Sequence, residues 1–380
     1  MRNRLFILFL VFLWFANVTI FSANVTVPSL ELYTRGVNSG GTFAFETEGD
    51  MDLLVEGGYK FGGLVVLNYT SPSLETPPSP SSSGLTFKAA RITQRELFGL
   101  PLSFSYFIGE GDTFCSGDIF PQYFGANPVA TAYRGLMHFP EGIRFNGIHT
   151  LKGTGLQFDL TPQGETLLLS YYIYQDSNID SDSDLTNFEA GYYSSDLRFA
   201  LNFNKLKLET FIGATYPAPD SSFGYYRGGL LFYASEENVE FMAQAGIPQW
   251  SPVNNQFDMS LFYFLFEPRV KIGFLSVIPT FFWRPGYYNQ QSTNEQAFDV
   301  NLNLLLGGTA ATKVSGGLES NFSYQTESGG TTVSEFRIRL SPYLQLFASG
   351  VIWEIRVNGK LSPYSYSDLI ECFFSAKAEF

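Results

Sequence analysis

The stretch LRFALNFNKLKLETFIGATY, residues 197–216, holds two runs of alternating character joined by a short polar step. Leu197, Phe199, Leu201 and Phe203 lead through Asn204-Lys205 into Leu206, Leu208, Thr210, Ile212, Ala214 and Tyr216, while Arg198, Asn202, Lys207 and Glu209 fill positions between them. Successive side chains of a strand point to opposite faces, so this period of two describes a hairpin with one apolar and one polar face. The 3.6-residue period of an amphipathic helix is almost absent from the chain.

Working outward, the same pattern recurs. Tyr226, Leu230 and Phe232 pass through residues 235–238 into Val239, Phe241, Ala243, Ala245 and Ile247, with Arg227, Glu240 and Gln244 opposed. Phe257, Met259, Leu261, Tyr263 and Leu265 read as a strand turning at Glu267-Pro268 into Val270, Ile272 and Phe274, which puts Phe262, Phe264 and Phe266 on the polar face. Phe298 to Leu306 turns through Gly307-Gly308 toward Val314, Leu318, Phe322 and Tyr324, opposed by Asp299, Asn301, Asn303 and Glu319. Phe336, Ile338 and Leu340 turn at Ser341-Pro342, with Glu335, Arg337 and Arg339 opposed. Tight turns alternate with longer connections at 217–223, 248–255, 283–296, 325–331 and 358–368. Upstream, strands near 60–70, 85–94 and 102–108 precede an irregular stretch of 44 residues, 110–153, after which Leu156, Phe158 and Leu160 resume the alternation.

Composition narrows the setting. The mean hydropathy is +0.01, between the values of soluble and helical membrane proteins, and only 16% of residues are charged. Beyond the N-terminus no apolar run approaches the ~20 residues a spanning helix needs. Arg2 and Arg4 precede the apolar stretch Leu5–Ala16, so residues 1–23 are expected to be an export signal and 24–380 the mature protein. The net charge of −13 provides no basic field for nucleic acid, which is excluded as a partner. Neither a hydrolase elbow, a Walker loop nor a metal cluster is present, so no enzyme activity and no cofactor or metal is expected. Cys115 and Cys372 permit at most one bridge, and free thiols are the simpler expectation.

The apolar face is lipid-sized and the other is rich in Asn, Ser, Arg and Glu, as in an antiparallel barrel with a wet interior. Aromatics near strand ends, Phe203, Tyr216, Tyr226, Tyr263, Trp283, Tyr324 and Tyr343, suit interfacial girdles. Unpaired backbone groups are too costly in hydrocarbon for an open edge, so the last strand should pair with the first. Counting gives an all-β transmembrane up-and-down β-barrel of about 16 strands, within 14–18, with residues 29–57 as a possible further pair or a periplasmic piece.

The chain ends in Phe380, with Ala378, Ala376 and Phe374 on the same face and Glu379, Lys377 and Ser375 between. This terminus resembles the C-terminal sorting and assembly signal of bacterial outer-membrane β-barrel proteins. The resemblance implies outer-membrane lipid and the barrel-assembly machinery as partners. By length and position, residues 110–153 resemble the inward-folded constriction loop of porins, an ordinary extracellular loop being the alternative. In the first case Arg134, His138, Glu141 and Arg144 would rim a constriction. By strand parity Arg91, Arg198, Arg227, Glu240, Asp299, Glu319, Arg337 and Arg339 are expected to face the lumen. The expected function is passive diffusion of small solutes through an outer-membrane channel, with homo-oligomerisation left open. A transporter of hydrophobic compounds such as fatty acids, suggested by Phe262, Phe264 and Phe266, and an adhesin or structural barrel are the alternatives.

Overall fold

The computed structural model describes residues 24–39, 42–57, 59–71, 84–133, 147–162, 166–177, 192–216, 224–252, 257, 259–284, 296–307, 313–326, 334–363 and 369–379. The expected signal 1–23, Arg134, His138, Glu141, Arg144 and Phe380 lie outside them.

The period of two becomes eighteen strands: β1 Asn24–Ser39, β2 Thr42–Glu56, β3 Phe61–Ser71, β4 Gly84–Gln94, β5 Leu102–Phe114 and β6 His149–Leu160. They continue as β7 Leu167–Asp176, β8 Tyr192–Asn202, β9 Leu206–Tyr216, β10 Tyr225–Glu236, β11 Val239–Trp250 and β12 Tyr263–Ile272. The last six are β13 Leu275–Arg284, β14 Gln296–Leu306, β15 Val314–Thr326, β16 Ser334–Ala348, β17 Val351–Ser362 and β18 Ile370–Glu379. Each pairs antiparallel with its chain neighbours, and β1 also pairs with β18 through Ser29↔Glu379 to Val37↔Glu371, closing the barrel. No sheet edge is left, as a hydrocarbon surround demands. The two strands beyond the count of sixteen are β1 and β2, which settle the role of residues 29–57.

The outer face is a continuous apolar belt. Leu197, Ile212, Leu230, Phe232, Phe241, Ile355 and Phe374 are all exposed, whereas the alternate positions Arg198, Glu209, Gln244 and Arg356 are buried inside. Buried charge and exposed hydrophobe invert the arrangement of a water-soluble protein, so the surround is lipid.

Several expectations need correction. The strand β12 does not turn at Glu267-Pro268 but continues to Ile272, with the turn at Gly273 and Phe274. Parity then carries back unbroken: Phe264 is 46% exposed on the lipid face, while Tyr263 and Leu265 are fully buried on the lumenal one. Phe262 precedes the strand and packs edge-on against Phe257, with ring centroids 5.4 Å apart. The turn expected at Ser341-Pro342 lies instead at Ser349 and Gly350. Prolines suggested both turns because they cannot donate to a ladder. In β12 the cost is avoided by opposition: pairs Phe266↔Phe281 and Val270↔Val277 keep one register, which places Pro268 opposite Pro279. Two of the expected girdle aromatics also point inward, where the Tyr263 hydroxyl donates to Gln244 at 2.7 Å and that of Tyr343 to Asn303 at 2.8 Å.

Candidate functional site

The irregular stretch is shorter than the alternation implied, because β5 runs to Phe114 and β6 begins at His149. Residues 115–133 turn into the barrel and lie against its inner wall. Cys115 adopts φ 57° and Gly117 φ 85°. At Gly117 a Cβ would sit 1.8 Å from the Val129 carbonyl oxygen, so only glycine permits this crossing of the segment on itself. A short helix, α1 Ile119–Phe124, follows and ends at Gly125, whose N–H donates to the Pro121 carbonyl at 3.1 Å.

The buried side of α1, with Ile119, Phe120 and Phe124, packs with Val129 and Tyr133 into a cluster shared with wall residues from β5 to β13, among them Phe107, Tyr172, Phe211, Met242, Leu265 and Phe282. Phe114 stacks on Phe211 at 4.6 Å between centroids. Each fully buried large apolar side chain contributes about 1.5–3 kcal/mol, enough to hold the segment without a covalent tie.

Polar anchors fix both ends. At the root, the Cys115 N–H donates to Glu209 Oε1 at 2.6 Å, and the same carboxylate takes Arg198 at 2.7 Å. Arg198 also reaches Asp112 at 3.4 Å, which Arg91 salt-bridges and which accepts the Tyr172 hydroxyl at 2.7 Å. Along the helix, Tyr123 donates to Asp159 at 3.0 Å. At the far arm, Glu267 accepts from Thr131 Oγ1 at 2.6 Å and the Ala132 N–H at 3.0 Å, and Asp299 accepts from the Tyr133 hydroxyl at 2.8 Å. Burial, reinforced by the neighbouring carboxylates, pushes the Tyr123 and Tyr133 phenols well above their usual range, so both stay protonated donors. Burial likewise raises the Cys115 thiol well above its ordinary value, with Glu209 adding to the effect.

The eight residues expected on the lumenal face all lie on inward positions, and ion pairs hold Arg91, Arg198, Arg227, Glu240, Asp299 and Glu319. Arg91 and Arg198 meet Asp112, Arg227 meets Asp196 at 2.5 Å, Glu240 meets Arg269 at 3.3 Å, Asp299 meets Arg284 at 2.9 Å, and Glu319 meets Arg356. Arg337 and Arg339 stand opposite Ser323 and Asn321. The Arg227–Asp196 pair bridges β10 and β8 across Gly213 of β9, where a Cβ would fall 1.7 Å from Asp196 Oδ1. Sequence reasoning missed Glu267 and Tyr133, whose roles depend on contacts across 135 and 166 positions. Cys115 is buried inside and Cys372 exposed on the lipid face, and both are free.

No protein-family model and no curated protein sequence matches the chain. Solved structures do. Pseudomonas aeruginosa OccK2 (OpdF) superposes with a TM-score of 0.52 and 10% identity, covering 94% of this chain and 97% of that one. OccK3 (OpdO) of the same organism gives 0.51 and 11% over 97% and 99% of the two chains. The fold is that of the bacterial outer-membrane porins. A triple mutant of the Rhodopseudomonas blastica porin aligns over 94% of this chain and all of its own, at 10% identity and a TM-score of 0.47. At such identities this porin-type barrel shares architecture with OccK2 and OccK3, and its lumen must be read from its own side chains.

Proposed function

We propose that the protein is an outer-membrane channel through which small hydrophilic solutes diffuse passively, narrowed by the inserted segment 115–133. The observation that carries this reading is the polar interior partly occupied by a segment anchored to one side only, since α1 and its anchors engage β5–β14. Inward residues of β18 and β1–β5, such as Glu31, Asp50, Lys88 and Lys377, keep partial exposure, consistent with a water-filled strip beside the segment. The longest connections, after β3, β5, β7, β11 and β13, all lie at one barrel end, which suits an external side. The transporter of hydrophobic compounds loses the feature that suggested it, because Phe264 faces lipid and its lumenal neighbours Tyr263 and Leu265 are buried within the cluster. The test is planar-bilayer recording with purified protein: stepwise conductance is expected, and silent membranes containing folded barrel would refute the channel.

A further inference from the structure

Where water reaches the lumen can be read from exposure. Midway along β6–β17 the inward side chains are covered, as at Gln157, Tyr172, Glu209, Glu267, Glu319 and Arg356. On β18 and β1–β5 some are covered, as at Phe107, Glu371 and Phe373, but many of the charged ones are not. There Glu31, Glu48, Asp50, Asp52 and Glu110 are half-buried, accompanied by the similarly placed Lys88 and Lys377. Across from them, on the inserted segment just before α1, Asp118 is exposed and lies within electrostatic range of Lys377.

The charges on this strip do not balance. Lys88 spans Asp50 and Glu110 at 3.4 Å each, and Lys152 adds a second contact to Glu110 at 3.2 Å. Among the described residues, these two lysines and Lys377 face six carboxylates, those of Glu31, Glu48, Asp50, Asp52, Glu110 and Asp118. The other cations do not make up the difference: Arg91, Arg198, Arg227, Arg269, Arg284 and Arg356 each meet a carboxylate, and Arg35 and Lys360 share Glu371, which reduces the surplus from three carboxylates to two. A surplus of fixed negative charge in a narrow path with low-dielectric walls raises the local cation concentration and repels anions.

We propose that the passage between the inserted segment and the β18–β5 arc is cation-selective, with Asp118 on the segment and Asp50 and Asp52 on the wall as the deciding carboxylates. This rests on the channel reading, since a selectivity exists only if ions pass. The selected solutes are cations, or the cationic end of larger hydrophilic molecules.

The test is the reversal potential of the full chain in planar bilayers under a potassium chloride gradient. The wild type should favour potassium over chloride at about 0.1 M salt and lose most of that preference near 1 M, as the screening length falls from about 10 to 3 Å. Asp118→Asn with Asp52→Asn should lower the permeability ratio by about twofold or more, and Lys377→Gln should raise it. Should Asp118→Asn fail to fold, Asp52→Asn alone must still move the ratio in the same direction. Chloride preference in the wild type, or a ratio indifferent to these neutralisations, would overturn the proposal while leaving the channel intact. Complete absence of conductance would instead remove the channel, and the selectivity with it.

Discussion

Glu267 is the group whose removal most directly tests how the inserted segment is held. It is fully buried on β12, and its carboxylate accepts Thr131 Oγ1 at 2.6 Å, the Ala132 N–H at 3.0 Å and Thr280 Oγ1 at 2.9 Å, besides the Arg269 ion pair at 2.6 Å. Two of these bonds come from the segment. A hydrogen bond to a charged group contributes about 1.5–3 kcal/mol net, and two would give about 3–6 kcal/mol. Water entering the vacated site and the partial exposure of Arg269 reduce this, so about 2–3 kcal/mol is the working figure for Glu267→Ala. At about 1.4 kcal/mol per factor of ten, the population with the 130–133 arm displaced rises about 30- to 150-fold. Hydrogen exchange at the Ala132 and Tyr133 amides should accelerate by that factor, and bilayer recordings should show added open-channel noise. Glu267→Gln, which keeps one acceptor oxygen, should fall between. A folded Glu267→Ala barrel with wild-type exchange at both amides and wild-type noise would refute the latch.

Other consequences follow from particular contacts. Gly213→Ala places a methyl where Asp196 Oδ1 now sits, 1.7 Å from the position of the new carbon, and should cost about 3–5 kcal/mol by parting the buried Arg227–Asp196 pair, read as a lower urea midpoint. The raised thiol of buried Cys115 predicts that maleimide labels Cys372 alone in the native detergent-solubilised protein and both cysteines after unfolding, even at mildly alkaline pH; two labels on the folded chain would contradict the burial. Phe264→Arg should destabilise the barrel by up to about 2–4 kcal/mol, depending on its depth in the bilayer, while the conductance of the folded fraction stays unchanged. A conductance change without loss of stability would mean that Phe264 meets the lumen after all.

Much of the architecture was legible because a half-lipid, half-water strand writes its environment into every second residue. The hairpin of Leu197 to Tyr216 appears as β8 and β9 with the expected faces, and the longest connections, after β3, β5, β7, β11 and β13, fall at one end. Two kinds of feature were not legible. Prolines at 268 and 342 mimic turns, and only the ladder on both sides shows that strands run through them. The weakly alternating β1 and β2 carry Thr and Gly on the lipid face and many acids on the other, so their membership is decided by pairing with β18 and β3.

What the sequence by itself determined is an antiparallel barrel in a bilayer: the period of two assigns faces locally, and the cost of unpaired amides in hydrocarbon demands closure. What only the tertiary structure decided is the interior. Parity placed Arg198 and Arg227 on the lumenal face without naming what they would meet there; their carboxylate partners arrive from other strands, and the cations become fasteners. Arg35 finds Glu371 across 336 positions for the same reason. A side chain's face follows from its neighbours in the chain, but the charge left over in a lumen follows from which groups meet across it, and that is a property of the closed fold.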